Sequence, residues 1–477
     1  MNKIVAVYKD KEHIKIVNSE NVFMINTDDM ITPDFLIEVN SLSDSIVYSS
    51  DYINELFMYY GMQGLMYEKS FLDNDVTSIS VTDTDIYAKV FLSKAIKYNL
   101  QVPFRISLQY KLKSIIKLLI SIFTVFILSF LIPLYVFIKI KSKKEFNKNN
   151  FCIVRSPATD KKISLLQEKF NINFLADNLT YKESNYISMY SVPILQQFRA
   201  IFIVPFITIR DLFTLKKESE QIFDPFFLGH FLYQYIFRIP FKSTFEYYFT
   251  ILIKHSKGRY YTGNKEDRYA VCEKRVSKKY FVNTVCLPHG LEYSFKEPAG
   301  VVGDVFYCTS EQSKLVLSTL YEDNTFVFDA EIIKKMFCVE SRTTVVSRKK
   351  IVFFTEAKSN QDIEINKKII QYLIENNIEV SLKLHPKDTI VNYSEFDNIQ
   401  VIHEFVDSIT NSICLARKST VLVEAIYNNS VSIAVLIDVS DKNKYENWFP
   451  SLNMEEIVKI YKLEDLVSKL KILIQEK

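Results

Sequence analysis

Three short stretches hold the residues whose types and spacing allow chemistry. They are Lys383-Leu384-His385-Pro386-Lys387, then Arg417-Lys418-Ser419-Thr420 with Glu424 one turn beyond, and upstream Pro288-His289-Gly290 followed by Glu292. Helix-start N–H groups, Ser/Thr hydroxyls, imidazole and ammonium groups all donate to phosphate oxygens, so the first two stretches read as an anion site. His385, Lys383, Lys418, Ser419 and Thr420 are the candidates for holding a phosphate, and Thr355 joins them from a loop after another apolar run. Glu424 is placed to accept from ribose hydroxyls. His289 precedes a glycine, which lets backbone approach closely, and it suits a general base; Glu292 can orient it or act as base itself. Taken singly, these residues have ordinary structural uses as a turn histidine, an N-cap and a helix acid. Their convergence is what makes a site. Asp304 and Asp438 stand without a spaced carboxylate pair, which favours a metal-free mechanism, and no pattern implies a cofactor. His13, His230, His255 and His403 have no comparable setting.

The elements around these stretches alternate. Short β-branched runs at 350–354, 379–384, 399–403, 412–416 and 431–437 are separated by loops and helical patterns, one with Val421, Leu422, Ala425 and Ile426 on a single face. Such alternation predicts βα units feeding a parallel sheet, with ligands bound outside the carboxyl ends of the strands. A helix near 363–376 and a closing amphipathic helix with Leu463, Leu466, Val467, Leu470 and Ile474 complete this part. Upstream, runs at 151–155, 283–287 and 305–308 read as strands. Residues 1–110 mix strand-like pieces (4–7, 45–48, 76–81) with helix-like ones (53–60, 85–98). Residues 329–349 are polar and basic and read as a link. Between 198 and 255 the chain is aromatic and apolar, mostly core, with a share suited to a membrane surface.

At 477 residues the chain exceeds one ordinary core, so two large domains are expected. A net charge of only +3 gives no global pull toward nucleic acid. The six cysteines form no CxxC pair, and most sit in apolar runs, as reduced buried thiols do. None of the eight glycines lies beyond Gly303, which excludes a P-loop or a GxGxxG turn from the C-terminal half. Any phosphate there must be held by side chains and a helix start. The first dozen residues carry mixed charge and no apolar core, unlike a secretory signal. From Leu118 to Ile138 there are 21 residues without a charge, flanked by Lys111, Lys113 and Lys117 before and Lys139, Lys141, Lys143 and Lys144 after. That length reaches across a hydrocarbon core, so membrane contact is expected. Lysines on both flanks give no orientation, and Pro133 permits a break, so a spanning, re-entrant or in-plane segment all stay open.

The order and spacing of Pro288-His289-Gly290, Leu382-Lys383-Leu384-His385-Pro386 and Lys418-Ser419-Thr420 through Glu424-Ala425 resemble the bacterial capsule and wall-polymer transferases of GT-B fold. That group includes the polysialyltransferases, the capsule Kdo transferases and the teichoic-acid glycerophosphotransferases, and the likeness runs over about residues 280–440. It implies two Rossmann-like α/β domains facing a cleft. The first would be residues 1–110 and 150–340, binding acceptor, with a membrane-associating helix at 111–149; the second, 341–477, would bind the donor. It further implies a cytidine-linked donor (a CMP-sugar, or a CDP-polyol), with His385, Ser419 and Thr420 on its phosphate, Glu424 on its ribose and His289 as base. The acceptor would be a growing or lipid-linked polysaccharide at the cytoplasmic face of the inner membrane, and the reaction inverting and metal-independent. Pro288-His289 stands where polysialyltransferases carry an acidic pair, which is nearer the teichoic-acid pattern. A polyol-phosphate transferase would share every motif. A sugar-nucleotide epimerase of this fold would need acid and base on both faces of the sugar, and the apolar segment argues against it. A non-catalytic assembly protein is the remaining alternative.

Overall fold

The computed structural model describes residues 4–142, 149–182, 185–287, 290–339, 350–356, 359–396 and 399–475. Two compact units emerge. One comprises Met1–His289, Phe295–Tyr307 and Ser318–Val327; the other comprises Gly290–Ser294, Cys308–Leu317 and Phe328–Lys477.

The first unit contains two sheets. Strands β1 (Val5–Tyr8), β2 (His13–Val17), β3 (Val22–Asn26) and β4 (Ser78–Ser80) form a small mixed sheet in the order β3-β2-β1-β4. The second sheet is parallel throughout. It is built from β5 (Phe151–Val154), β6 (Asn173–Ala176), β7 (Ile187–Ser188), β8 (Tyr260–Thr262), β9 (Thr284–Cys286), β10 (Val305–Tyr307) and β11 (Thr325–Val327), in the order β11-β10-β9-β8-β5-β6-β7. The chain runs outward from β5 to β7, then returns to start again at β8 on the other side of β5. That reversal is the mark of a doubly wound fold. The central strands β5, β8 and β9 are buried on every residue, as parallel strands covered by helices are, and burial falls off toward the outer strands β7 and β11.

The second unit repeats the principle on a smaller scale. Strands β12 (Lys350–Phe354), β13 (Ser381–Lys383), β14 (Ser412–Ala416), β15 (Val431–Val435) and β16 (Ile457–Ile460) are all parallel, in the order β13-β12-β14-β15-β16. Its direction switches between β12 and β14. The α/β class and doubly wound parallel sheets are thus as expected. The Asn360–Glu375 helix starts on a Ser359–Asp362 capping box and buries Ile369, Ile370 and Leu373 beneath β12 and β14.

Three local expectations fail. Residues 45–48 form no strand, because Thr32 caps a helix from Pro33 to Ser45 whose buried face is Phe35, Val39 and Ser43. The run at 399–403 makes only an isolated bridge from Val401 to Leu382. Residues 329–349 are not simply a link. Asp329 caps an eight-residue helix, Ala330–Phe337, that buries Ile332, Ile333, Met336 and Phe337, while 340–349 lie outside the described residues. Of the six cysteines, five are buried and Cys338 is exposed.

The uncharged segment belongs to a 36-residue helix, Phe104–Lys139. Its buried residues, among them Tyr110, Ser114, Ser121, Val125, Ser129, Ile132 and Val136, fall on one face, at three- and four-residue spacing apart from one two-turn step between Ser114 and Ser121. Near its start, the Tyr110 hydroxyl donates to Asp224 Oδ2 at 2.6 Å, and Ser114 lies so close to Gly229 that a Cβ there would sit 2.2 Å from the Ser114 carbonyl oxygen. At its end, Val136 enters the core around Phe151, Tyr190 and Phe249, and Gln197 donates to the Ile140 carbonyl at 3.1 Å. The Ile194–Ile222 helix therefore runs antiparallel to it. Both ends of the apolar helix are tied to one folded unit, while Leu119, Phe123 and Ile138, with Phe206 and Phe213 of the second helix, are each more than 60% exposed.

Candidate functional site

In the second unit the loops that follow β12, β13 and β14 leave the same edge of the sheet, because Phe354 pairs with Lys383 and Phe353 with Leu415 in parallel register. The β12–β14 switch point lies at that edge, where open α/β sheets bind ligands. Thr355, buried just past β12, accepts a hydrogen bond from the His385 backbone N–H at 3.1 Å, and its own N–H donates to the Lys383 carbonyl at 3.0 Å. This clamps the His-Pro turn to the central strand. His385 is half-buried, and its Nδ1 accepts from the Lys387 N–H at 3.1 Å. A neutral ring so bonded carries its proton on Nε2 and presents it as a donor.

Ser419 and Thr420 follow β14 and are half-buried. The helix they open, Val421–Tyr427, has seven residues. Thr420 makes no side-chain cap, and the Ser419 hydroxyl meets the Val421 N–H at a long 3.4 Å. The strong N-cap expected of this pair is not formed. Glu424 is half-buried on the first turn of the same helix. Lys383 donates through Nζ to the His403 carbonyl, at the same sheet edge.

Lys418 is used differently from the expectation. Its side chain is 8% exposed, and its ammonium pairs with Asp441, with Asp362 and Glu356 oxygens each at 3.7 Å. Burial disfavours its charge, but Glu356 and Asp441 outweigh that and hold its pKa above the ordinary lysine value. Arg417, 1% exposed, forks onto Asp441 and reaches Asp362 Oδ1 at 2.9 Å. The Lys418 backbone N–H donates to Glu356 Oε1 at 2.9 Å. This buried cluster of two cations and three carboxylates fixes the loop that carries Ser419, so Lys418 acts by positioning rather than by reaching a donor phosphate. Sequence reading missed the cluster. Asp362 and Asp441 belong to other helices, and only the fold brings them to Arg417.

Glu292 is buried in the second unit. Its carboxylate accepts from the Thr309 N–H at 2.8 Å and from the Thr309 and Ser451 hydroxyls, and Ser451 is within 2.6 Å of the Ser313 hydroxyl. Both oxygens are engaged in tying Gly290–Ser294 and Cys308–Leu317 to the rest of that unit. His289 lies outside the described residues.

The corresponding edge of the seven-stranded sheet in the first unit carries groups that no motif flagged. Arg155, after β5, stacks over the Tyr269 ring at 3.1 Å and pairs with Asp177 at 3.4 Å and Asp267 at 3.6 Å. Beside it, buried Glu273 accepts from Tyr260, Thr262 and Asn264 at 2.7–2.8 Å, and burial pushes its pKa up to about 7 against the pull of those donors. Deeper in this unit, Lys242 is fully enclosed by Asp51, Asp211 and Glu246, with Arg210 and Arg275 on their outer sides. Asp51, Glu246 and Cys272 bring three ligand-type atoms together. The Lys242 ammonium and the Arg275 guanidinium already pair with the two carboxylates there.

No family model matches the chain, and no curated protein does. Among solved structures it is similar to the UDP-GlcNAc 2-epimerase of Methanocaldococcus jannaschii, at 12% identity and a TM-score of 0.39 over 69% of this chain and 93% of that one. It is also similar to the enzyme of the same name from Neisseria meningitidis bound to UDP-GlcNAc, at 10% identity and a TM-score of 0.38 over 69% of this chain and 91% of that one. At that identity and TM-score, function has to be argued from the chain's own residues.

Proposed function

We propose that this protein is a glycosyltransferase that moves a sugar from a nucleotide donor, cytidine-linked, to a growing or lipid-linked surface polysaccharide at the cytoplasmic face of the bacterial inner membrane. The observation that carries the donor half is the placement of Thr355, His385, Ser419 and Thr420 on loops leaving one edge of a parallel sheet, two of them at its switch point. In this reading His385 and the hydroxyls of Ser419 and Thr420 donate to the departing nucleotide phosphate as its charge develops, with Lys383 adding charge near the same edge. Glu424 accepts from the ribose. His289 takes the proton of the acceptor hydroxyl, whose oxygen attacks the anomeric carbon on the face opposite the leaving phosphate, so that configuration inverts. Glu292 fixes the chain just after His289. Membrane contact is made in the plane. A helix tied at both ends to one unit, with one face packed throughout and the other apolar and exposed, suits a single leaflet rather than a crossing.

Calorimetry of the detergent-purified protein with CMP, CDP, UDP and GDP tests the donor site. Cytidine nucleotide binding that is lost in His385→Ala is the expected result. CMP over CDP points to a sugar donor, and the reverse to a polyol-phosphate transferase, the reading closer to Pro288-His289. UDP preference would overturn the cytidine assignment. Absence of binding to any of the four would overturn the transferase reading in favour of an assembly protein.

A further inference from the structure

The two apolar helices of the first unit do not close on each other along their whole length. Between them and the Phe227–Tyr235 helix lies an open groove of 580 Å³, within the roughly 300–1,000 Å³ that accommodates a small organic ligand. Ile115, Leu118, Ile122 and Phe126 form one wall as a single stripe, and Ile209 and Leu212 face them from the antiparallel helix. From Ser114 to Phe126 the groove follows the helix for about 18 Å at ~1.5 Å per residue. The polar end is defined by Lys216, which also lines the groove and is exposed, in a pair with Glu220 at 3.9 Å. Nearby on the apolar helix, Lys111 and Lys117 sit over the Phe226 and Tyr233 rings. The groove is thus apolar along its length and charged at one end, where Glu220 lines it beside Lys216 and the surplus positive charge comes from Lys111 and Lys117, and its walls continue into the exposed faces that carry Leu119, Phe123 and Phe213.

We infer that this groove binds one acyl chain of an anionic phospholipid, its phosphate held at the Lys216 end. The inference rests on the membrane placement proposed above and adds a defined lipid site to it. Dispersion and burial of the chain supply the affinity, and the lysines select for the anionic headgroup. A lipid seated there ties the protein to the leaflet and fills a gap between helices that would otherwise hold water against apolar walls.

The full-length protein is mixed with vesicles of phosphatidylcholine and phosphatidylglycerol that contain a phosphatidylglycerol carrying a diazirine on one acyl chain. After irradiation, adducts are mapped by peptide mass spectrometry, and flotation is measured in parallel. Adducts concentrated on Ile115–Phe126 and Ile209–Leu212 are expected. They should be lost in Leu212→Trp and in Ile122→Trp, either of which fills the groove, while both variants still float and keep the wild-type melting temperature. Lys216→Glu should remove the preference for labelled phosphatidylglycerol over labelled phosphatidylcholine. Adducts spread over Leu119, Phe123 and Phe206 and undiminished in both tryptophan variants would overturn the groove while leaving membrane contact intact. A protein that fails to float would overturn the membrane placement itself, and the groove with it.

Discussion

Replacing Lys242 with methionine removes one charge from the centre of a balanced network and changes little else. In the native protein three carboxylates (Asp51, Asp211, Glu246) face three cations (Lys242, Arg210, Arg275), and the Lys242 side chain is 0% exposed. Methionine keeps most of the volume and fits the aromatic surroundings, so packing loss is small. What remains is a buried net negative charge, because Arg210 and Arg275 are 44% and 36% exposed and cannot move inward. Removing one partner of a buried ionic group costs about 3–5 kcal/mol. At about 2 °C per kcal/mol for a large domain, that is a fall in Tm of roughly 6–10 °C. The pH dependence is more specific than the size. Burial already pushes the Asp211 pKa up, against the pull of Lys242. Without the ammonium it rises further, so Asp211 takes up a proton that the unfolded chain does not. A carboxyl with a raised folded pKa adds stability that is present below its unfolded value and lost as pH rises through the folded one. The deficit of Lys242→Met should therefore shrink steadily from pH 8 to pH 5, and Asp211→Asn in the same chain should recover part of it. Differential scanning calorimetry across that range gives both quantities. A deficit below about 1 kcal/mol at pH 8, or one equal at pH 5 and pH 8, would refute the electrostatic account.

Gly229→Ala places a methyl 2.2 Å from the Ser114 carbonyl oxygen, which is backbone and cannot rotate away. The crossing of the apolar helix over Phe227–Tyr235 must widen, with a loss of about 1–3 kcal/mol by thermal unfolding. Glu218 and Glu273 are each pushed by burial up to about 7 despite the donors they accept from. Both favour the folded state in their protonated forms, so stability should decline as pH rises from about 4.5 to 7, and Glu273→Gln should flatten that decline. Below pH 4 the opposite group takes over. Asp362 and Asp441, although burial opposes it, are held down by Lys418 and Arg417, and protonating them loses the cluster behind Ser419.

The sequence exposed the second unit's sheet through its own chemistry. β-branched runs at 350–354, 412–416 and 431–435 are too short and too apolar for anything but buried parallel strands, and each ends in a polar loop. The His385 and Ser419 stretches were visible for the same reason, since they follow strands at once. The outer strands were harder. β7 has two residues and β11 three, and such lengths carry no period. Lys418 was misjudged because a lysine beside a serine looks alike whether it faces a ligand or three carboxylates, and Asp441 lies 23 residues away on another helix. Arg155 stacked on Tyr269, and Glu273 among Tyr260, Thr262 and Asn264, depend on tertiary proximity that no local pattern encodes.

The first unit is stitched together by its sequence extremes. Asn54 donates to Glu297 at 2.9 Å and to the Gly300 carbonyl at 3.0 Å, Arg275 forks onto Asp51, and Arg268 holds Glu55. During synthesis the apolar helix has therefore left the ribosome long before the residues that complete its unit exist. Between Lys139 and Gly300 lie some 160 residues, which at about 5–20 residues per second take roughly 8–30 s to make. For that interval the chain carries an exposed apolar face with no finished fold behind it. Nascent chains should thus meet either a chaperone or, in the proposed membrane setting, the leaflet itself before they fold, so the order of synthesis bears on how that face is first covered.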